Sequence, residues 1–193
     1  MTTGLGMADE EFIRGKVPMT KQEIRALTMV KARIAPTDVV WDVGAGTGSM
    51  SVEAALLASQ GHVYAVERNP EGVSLIEKNK EKFGVRNLTV VEGEAPDALK
   101  KLPDCDAAVI GGSGSRLDEI LDEISSRLKT GGHVVMNCIT VQTLAAALAY
   151  LRAHEADFSY EAIQVQINRL QAAGAYDMAK AINPIYIVTG EKK

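Results

Sequence analysis

The feature that most constrains this chain is a glycine-spaced turn. Val39-Val40-Trp41-Asp42-Val43 leads into Gly44-Ala45-Gly46-Thr47-Gly48, after which Ser49 to Ser59 (SMSVEAALLAS) reads as a helix closed by Gly61. A short run rich in valine favours a buried strand. A chain that leaves such a strand and enters a helix must bend sharply, and glycines at 44, 46 and 48 supply φ freedom and leave room for a ligand against the backbone. In a doubly wound α/β sheet, a turn of this kind opens the ligand crevice where the strand order reverses.

The remaining pattern supplies the alternation of strands and helices that such a sheet needs. Upstream, Thr20 and Glu23 form a capping box for a first helix with Ile24, Leu27 and Met29 to Val30 as its buried stripe, ended by Pro36. Downstream, His62 to Glu67 is a strand, and Asn69-Pro70 starts a helix that runs to Phe83 and stops at Gly84. Leu88 to Glu92 is the third strand, Pro96 to Leu102 one helical turn, and Asp106 to Ile110 the fourth strand. An amphipathic helix over Leu117 to Leu128 precedes Gly131-Gly132, the strand His133 to Asn137 and a helix over Thr140 to His154. Tyr160 to Leu170 alternates with period two and is expected to pair, as a hairpin, with Ile185 to Thr189. Between them, the pattern of Gln171 to Asn183 does not separate a loop from a partly helical excursion. No repeat or linker divides the chain, so one domain over 1–193 is expected, with a leader and first helix in 1–35 and a Rossmann-like core in 36–193.

Composition narrows the function. The net charge is −4 and the pI is near 5.5, which argues against a globally basic nucleic-acid-binding module. The longest apolar stretch, Leu144 to Leu151, is far short of the roughly 20 residues that cross a bilayer. Nothing in MTTGLGMADEE resembles a secretion signal, so a cytoplasmic protein without membrane contact is expected. Cys105 and Cys138 belong to no CxxC motif and read as small buried residues, and no metal site is expected.

The glycine spacing separates two ligand classes. A dinucleotide fingerprint would put its third glycine at position 49, which is Ser49, whereas here the glycines run GxGxG. Asp42, beside the turn, would repel a pyrophosphate and suit a ligand that carries an ammonium group. Glu67, at the end of the second strand, is placed to accept hydrogen bonds from ribose hydroxyls. Glu94-Ala95, after the third strand, sit where an adenine ring would edge in. Together these point to S-adenosylmethionine.

WDVGAGTG, VYAVERN and VEGEA resemble the first three motifs of class I S-adenosylmethionine-dependent methyltransferases. The resemblance implies a mostly parallel, seven-stranded doubly wound sheet with an antiparallel C-terminal hairpin. It also implies cofactor contacts at Gly44, Ala45, Gly46, Thr47, Gly48, Glu67, Glu94 and Ala95. The leader Phe12 to Arg25 (FIRGKVPMTKQEIR), the run Ala107 to Gly114 (AAVIGGSG) and Asn183 to Val188 (NPIYIV) are similar to the decarboxylating cobalt-precorrin-6B methyltransferases of cobalamin biosynthesis. Those enzymes methylate carbon 15 of a tetrapyrrole and remove the carboxyl of its ring C acetate. By that resemblance the leader threonine, Thr20, contacts the cofactor, and a homotetramer is implied.

A substrate rich in carboxylates needs local cations. Arg14, Lys16, Lys21, Arg25, Lys31 and Arg33 face only Glu23 between Phe12 and Ala35. Arg25, Lys31 and Arg33 also fit a solvated helix face, so Arg14 and Lys16 are the better candidates, with Arg116 and Arg169 behind them. Gly111, Gly112, Ser113 and Gly114 follow the fourth strand, where this fold brings its acceptor. His62, His133 and His154 read as structural. Two rivals compete. Asn183-Pro184-Ile185-Tyr186 looks like the Asn-Pro-Pro-Tyr of nucleic-acid base methylators but precedes the last strand instead of following the fourth, and a non-catalytic cofactor-binding subunit would have no use for an intact Asp42, glycine series and Glu67.

Overall fold

The computed structural model describes residues 4–193, so the first three residues of the leader lie outside it. The leader precedes α1 (Gln22–Ala32). The core then alternates β1 (Val39–Val43), α2 (Ser49–Leu57), β2 (His62–Glu67), α3 (Pro70–Phe83), β3 (Leu88–Glu92), β4 (Cys105–Ile110), α4 (Leu117–Arg127), β5 (Leu128–Cys138) and α5 (Val141–Ala153). Four strands close the chain: β6 (Phe158–Val165), β7 (Asn168–Ala173), β8 (Tyr176–Ala181) and β9 (Ile185–Lys192).

Seven strands form one sheet in the order β3-β2-β1-β4-β5-β9-β6. β1 to β5 run parallel, and β9 is antiparallel to both β5 and β6. Strand order reverses between β1 and β4, so the loops after these two strands part there and open a crevice. Alternation along each strand feeds two cores. Val40, Ala65, Val109 and Val135 pack under α1, α2 and α3. Trp41, Val43, Ala108 and Met136 pack under α4 and α5. Among the described residues no helix is long and apolar enough to cross a membrane, and Cys105 and Cys138 are buried free thiols.

Local signals set several boundaries. The Asn69 side chain accepts the Glu71 amide and Gly84 closes the far end in a left-handed conformation, so α3 spans the interval that its cap, proline and glycine mark. Thr140 caps α5 in the same manner through the Thr143 amide.

Other expectations are corrected. α1 starts at Gln22 with Lys21 as an N-cap that makes no side-chain bond, so the Thr20–Glu23 capping box is absent. The Glu23 carboxylate that would complete the box pairs instead with Arg169. The helix stops at Ala32, with Arg33 in a left-handed turn, before Pro36 is reached. Val30 is exposed and lies outside the buried stripe. β5 begins directly after α4 at Leu128. The alternating run Tyr160 to Leu170 divides between β6 and β7, and the undecided stretch after it forms the rest of a separate β7-β8 hairpin. β6 and β9 do pair antiparallel, with that hairpin inserted between them.

Candidate active site

Two clefts meet at the crevice between β1 and β4. The first, of about 240 Å³, is lined by Gly44 and Gly46 of the first loop, Glu67, Glu94 and Ala95 after β2 and β3, and Gly111 to Gly114 after β4. The second, of about 230 Å³, lies across the same turn beneath the leader and is more apolar: Met19, Ile24, Met50, Ile139, Ile182 and Ile185 help to line it. Gly44, Gly46, Gly111 and Pro18 border both clefts, so a thin glycine ridge roofed by the leader separates them.

The ridge is built by backbone contact. Val43 O accepts the Gly111 amide at 2.9 Å, which ties the two loops together. Gly44 has φ +71°, and a Cβ there would lie 2.5 Å from Gly112 O, so only glycine fits.

Glu67 organises the first cleft. Its Oε2 accepts the Gly46 amide at 2.8 Å and its Oε1 accepts the Asn69 amide at 2.7 Å. Each oxygen keeps a lone pair for a hydroxyl. Gly72, in the first turn of α3, makes the placement possible: a Cβ there would meet Glu67 Cγ at 2.7 Å. Across the mouth, Arg68 Nη1 donates to Glu94 Oε1 at 2.7 Å, both side chains being largely solvent-exposed.

Asp42 lies beneath the turn and lines neither cleft. Its Oδ2 accepts the Ser51 hydroxyl at 2.5 Å. Burial pushes its carboxyl up to about 7, with the charge of Glu67 adding to the rise and the Ser51 bond opposing it. Among the described residues, Asp42 Oδ1 and Thr47 Oγ1 are buried at the turn without a hydrogen-bond partner.

The structure therefore gathers Gly44, Gly46, Glu67, Glu94, Ala95 and Gly111 to Gly114 around one cleft, and places Thr20, Ala45 and Thr47 on its neighbour. Gly48 packs on Ile76 at the start of α2. Of the cations read as carboxylate-binding, Arg14, Lys16, Arg116 and Arg169 line neither cleft, while Lys21 borders the second. Arg14 and Lys16 are exposed on the leader. Arg116 holds Glu119 at 2.7 Å and Asp97 at 3.3 Å, which raises its already high affinity for its proton. Arg169 grips both oxygens of Glu23 at 2.7 and 2.8 Å.

Arg25 overturns its reading as part of a solvated face, because it is fully buried. Its Nε donates to Glu53 at 2.6 Å, its Nη1 to Asp9 at 3.2 Å and to Thr20 O at 2.8 Å, and its Nη2 to Met7 O. Glu53 also accepts the Gly6 and Met7 amides, so this cluster fastens the leader to α2. Sequence reading missed Gly72, Met50 and Asn137. Their meaning depends on neighbours from other elements, whereas the leader motif and NPIYIV both contribute residues to this second cleft.

The arrangement fits S-adenosylmethionine. The close-approach glycine ridge leaves room for a ligand against the backbone, Glu67 keeps lone pairs for ribose hydroxyls, and Thr47 on the neighbouring cleft has a buried hydroxyl oxygen without a partner among the described residues. The comparisons agree. The precorrin methyltransferase domain model matches residues 11–192. The chain is 45% identical over 192 residues, 97% of its length and 98% of the relative's, to the probable cobalt-precorrin-6B C(15)-methyltransferase (decarboxylating) of Sulfolobus acidocaldarius. The crystal structure of precorrin-6y C5,15-methyltransferase from Geobacter metallireducens matches with TM-score 0.91 and 41% identity over 97% of this chain and 98% of that one. Precorrin 8w decarboxylase of Methanobacterium thermoautotrophicum matches with TM-score 0.87 and 39% identity, covering 95% and 98%. The fold is that of class I methyltransferases and the activity is S-adenosylmethionine-dependent methyl transfer. With a family model and relatives that span nearly its whole length, this chain belongs to the precorrin methyltransferase family.

Proposed function

We propose that the protein methylates carbon 15 of cobalt-precorrin-6B and removes the carboxyl of the ring C acetate, acting in the cytoplasm as a homotetramer. The observation that carries this reading is the glycine ridge shared by a cleft that ends in Glu67 and a cleft that is largely apolar. Near-full-length relatives named for this reaction supply the substrate.

S-adenosylmethionine, when bound, supplies an electrophilic sulfonium methyl group. Glu67 would accept the ribose hydroxyls, Glu94 and Ala95 would flank the adenine, and Thr20 and the turn from Gly44 to Gly48 would hold the amino acid end. Asp42 underpins that turn from below. An electron-rich ring carbon is itself the nucleophile, so the chain's task is orientation and exclusion of water. Val17 and Pro18 roof the ridge, and Gly111 to Gly114 wall it without bulky side chains. Arg14 and Lys16 meet carboxylates at the periphery of the macrocycle.

The β7-β8 hairpin supports the oligomer. It pairs only with itself as a two-stranded sheet, every residue of its strands is exposed, and Leu170, Tyr176 and Met178 are 75%, 78% and 61% exposed. Such a hairpin is marginal alone in water, and a cluster of exposed large apolar side chains suits contact with other copies. The two free thiols suit a reducing compartment.

The test is product mass after incubation with S-adenosylmethionine and cobalt-precorrin-6B. One methyl gained and one carbon dioxide lost is the expected result. Bound cofactor with an unchanged tetrapyrrole would overturn the substrate.

A further inference from the structure

Asn137, near the end of β5, stands in the wall between the apolar cleft and a smaller one of about 180 Å³ that runs under Gly111 to Ser113 towards Thr140. It is 8% exposed. Its Oδ1 is 3.0 Å from Thr28 Oγ1, a hydroxyl that also lies 2.7 Å from Ile24 O and shares its proton between the two. This contact turns the oxygen towards α1 and leaves Nδ2 facing Met50 Sδ at 3.6 Å. A thioether is a weak acceptor, and one sulfur does not satisfy two amide protons. A donor left short of partners at a cleft wall is costly unless a ligand uses it.

The surroundings define that ligand. Lys21 is the charged residue among those lining the apolar cleft, and its ammonium lies 3.6 Å from Asp9. The smaller cleft has no charged lining residue. Met50 links Asn137 to the ridge, since its Cε would lie 3.0 Å from a Cβ on Gly111.

We propose that Asn137 Nδ2 binds the acetate carboxylate that is lost, making Asn137 a catalytic residue of decarboxylation; the inference rests on the function proposed above. In this step the bond between the acetate methylene and the carboxyl carbon breaks. Its electron pair passes into the conjugated ring system, carbon dioxide leaves, and a proton from water ends on the methylene carbon. A cation here would hold the electrons on the carboxylate and oppose their departure. A neutral amide orients the carboxylate with less of that penalty, while the apolar walls keep water from solvating it until carbon dioxide has left and water can protonate the methylene carbon.

The experiment compares wild type, Asn137→Leu and Asn137→Asp with S-adenosylmethionine and cobalt-precorrin-6B, separating by mass the tetrapyrrole that is methylated only from that which is also decarboxylated. Asn137→Asp keeps an oxygen for Thr28 and so preserves the packing if the leucine variant does not fold. Expected is accumulation of methylated product that retains its carboxyl, with decarboxylation slowed about tenfold or more relative to methyl transfer. Loss of both reactions in equal proportion, or decarboxylation at the wild-type rate, would overturn the role of Asn137 alone. A wild-type protein that leaves the tetrapyrrole unchanged would overturn the function proposed above along with it.

Discussion

The Gly111 amide donates to Val43 O at 2.9 Å, so the loop after β4 hangs from the last residue of β1. That bond brings Gly112 against Gly44 and makes Gly44→Ala costly twice over, by contact and by left-handed strain at φ +71°. Gly84→Ala meets strain alone, since φ is +67° there with open space around it. Gly84→Ala is expected to lose about 1 to 3 kcal/mol of stability, and Gly44→Ala more, because of the backbone contact with Gly112. Only Gly44→Ala should weaken S-adenosylmethionine binding, which calorimetric titration alongside thermal unfolding will separate.

Glu67→Gln replaces one acceptor oxygen by a donor that faces the Gly46 or the Asn69 amide. Cofactor affinity should fall by about 1.5 to 3 kcal/mol, the worth of charged hydrogen bonds. The fall should be smaller for an analogue lacking both ribose hydroxyls, and equal losses for the two ligands would argue against ribose binding by Glu67.

Arg25→Met should be among the most damaging substitutions in the chain. It strands Glu53 and Asp9 without their cation, and breaking a buried ion pair in this way costs about 3 to 5 kcal/mol. Arg25→Lys should recover little, because an ammonium does not reproduce the guanidinium fork. Urea unfolding of both variants gives the comparison.

Asp42 predicts a sign for pH dependence without cofactor. Its folded value, about 7, stands above its ordinary 3.8, so the folded chain holds a proton that the unfolded chain releases. The stability from this group is complete below about pH 4 and is lost as pH rises through about 7. Asp42→Asn should remove that slope, and the wild-type minus variant difference in unfolding free energy should shrink with rising pH. A difference that grows would contradict the assignment.

Replacing residues 168–181 by a short loop should leave the seven-stranded sheet intact, because the hairpin strands pair only with each other. Light scattering is expected to show a smaller assembly with circular dichroism otherwise retained. An unchanged mass would place the contact between copies elsewhere.

Several elements were legible from local chemistry. α3 obeys Asn69, Pro70 and Gly84, and β2 and β3 end at Glu67 and Glu92 as their patterns indicate. These signals act within a few residues, so no distant partner is needed to read them. The failures share the opposite character. Thr20 and Glu23 match a capping box, yet the helix starts one residue later, with Lys21 as its N-cap, and the Glu23 carboxylate is taken by Arg169 from a distant strand. The β7-β8 hairpin has no buried face and hence no alternation to read. Glu67 and Gly44 were readable as residues of the crevice because strand, turn and spacing agree locally. Asn137 was not, since its significance lies in Thr28 and Met50, which come from α1 and α2.

The guanidinium of Arg25 has a topological consequence. It binds Met7 O and Thr20 O together, so the segment between them is a ring of chain whose two ends meet at one side chain. A loop pinned at its base opens as a unit, and its amides should exchange with solvent together, at a lower free energy than those of the sheet. The span that carries Pro18 over the glycine ridge is therefore held at its base by a residue that lines neither cleft, and along its length by α3 through Asn79 and Glu71.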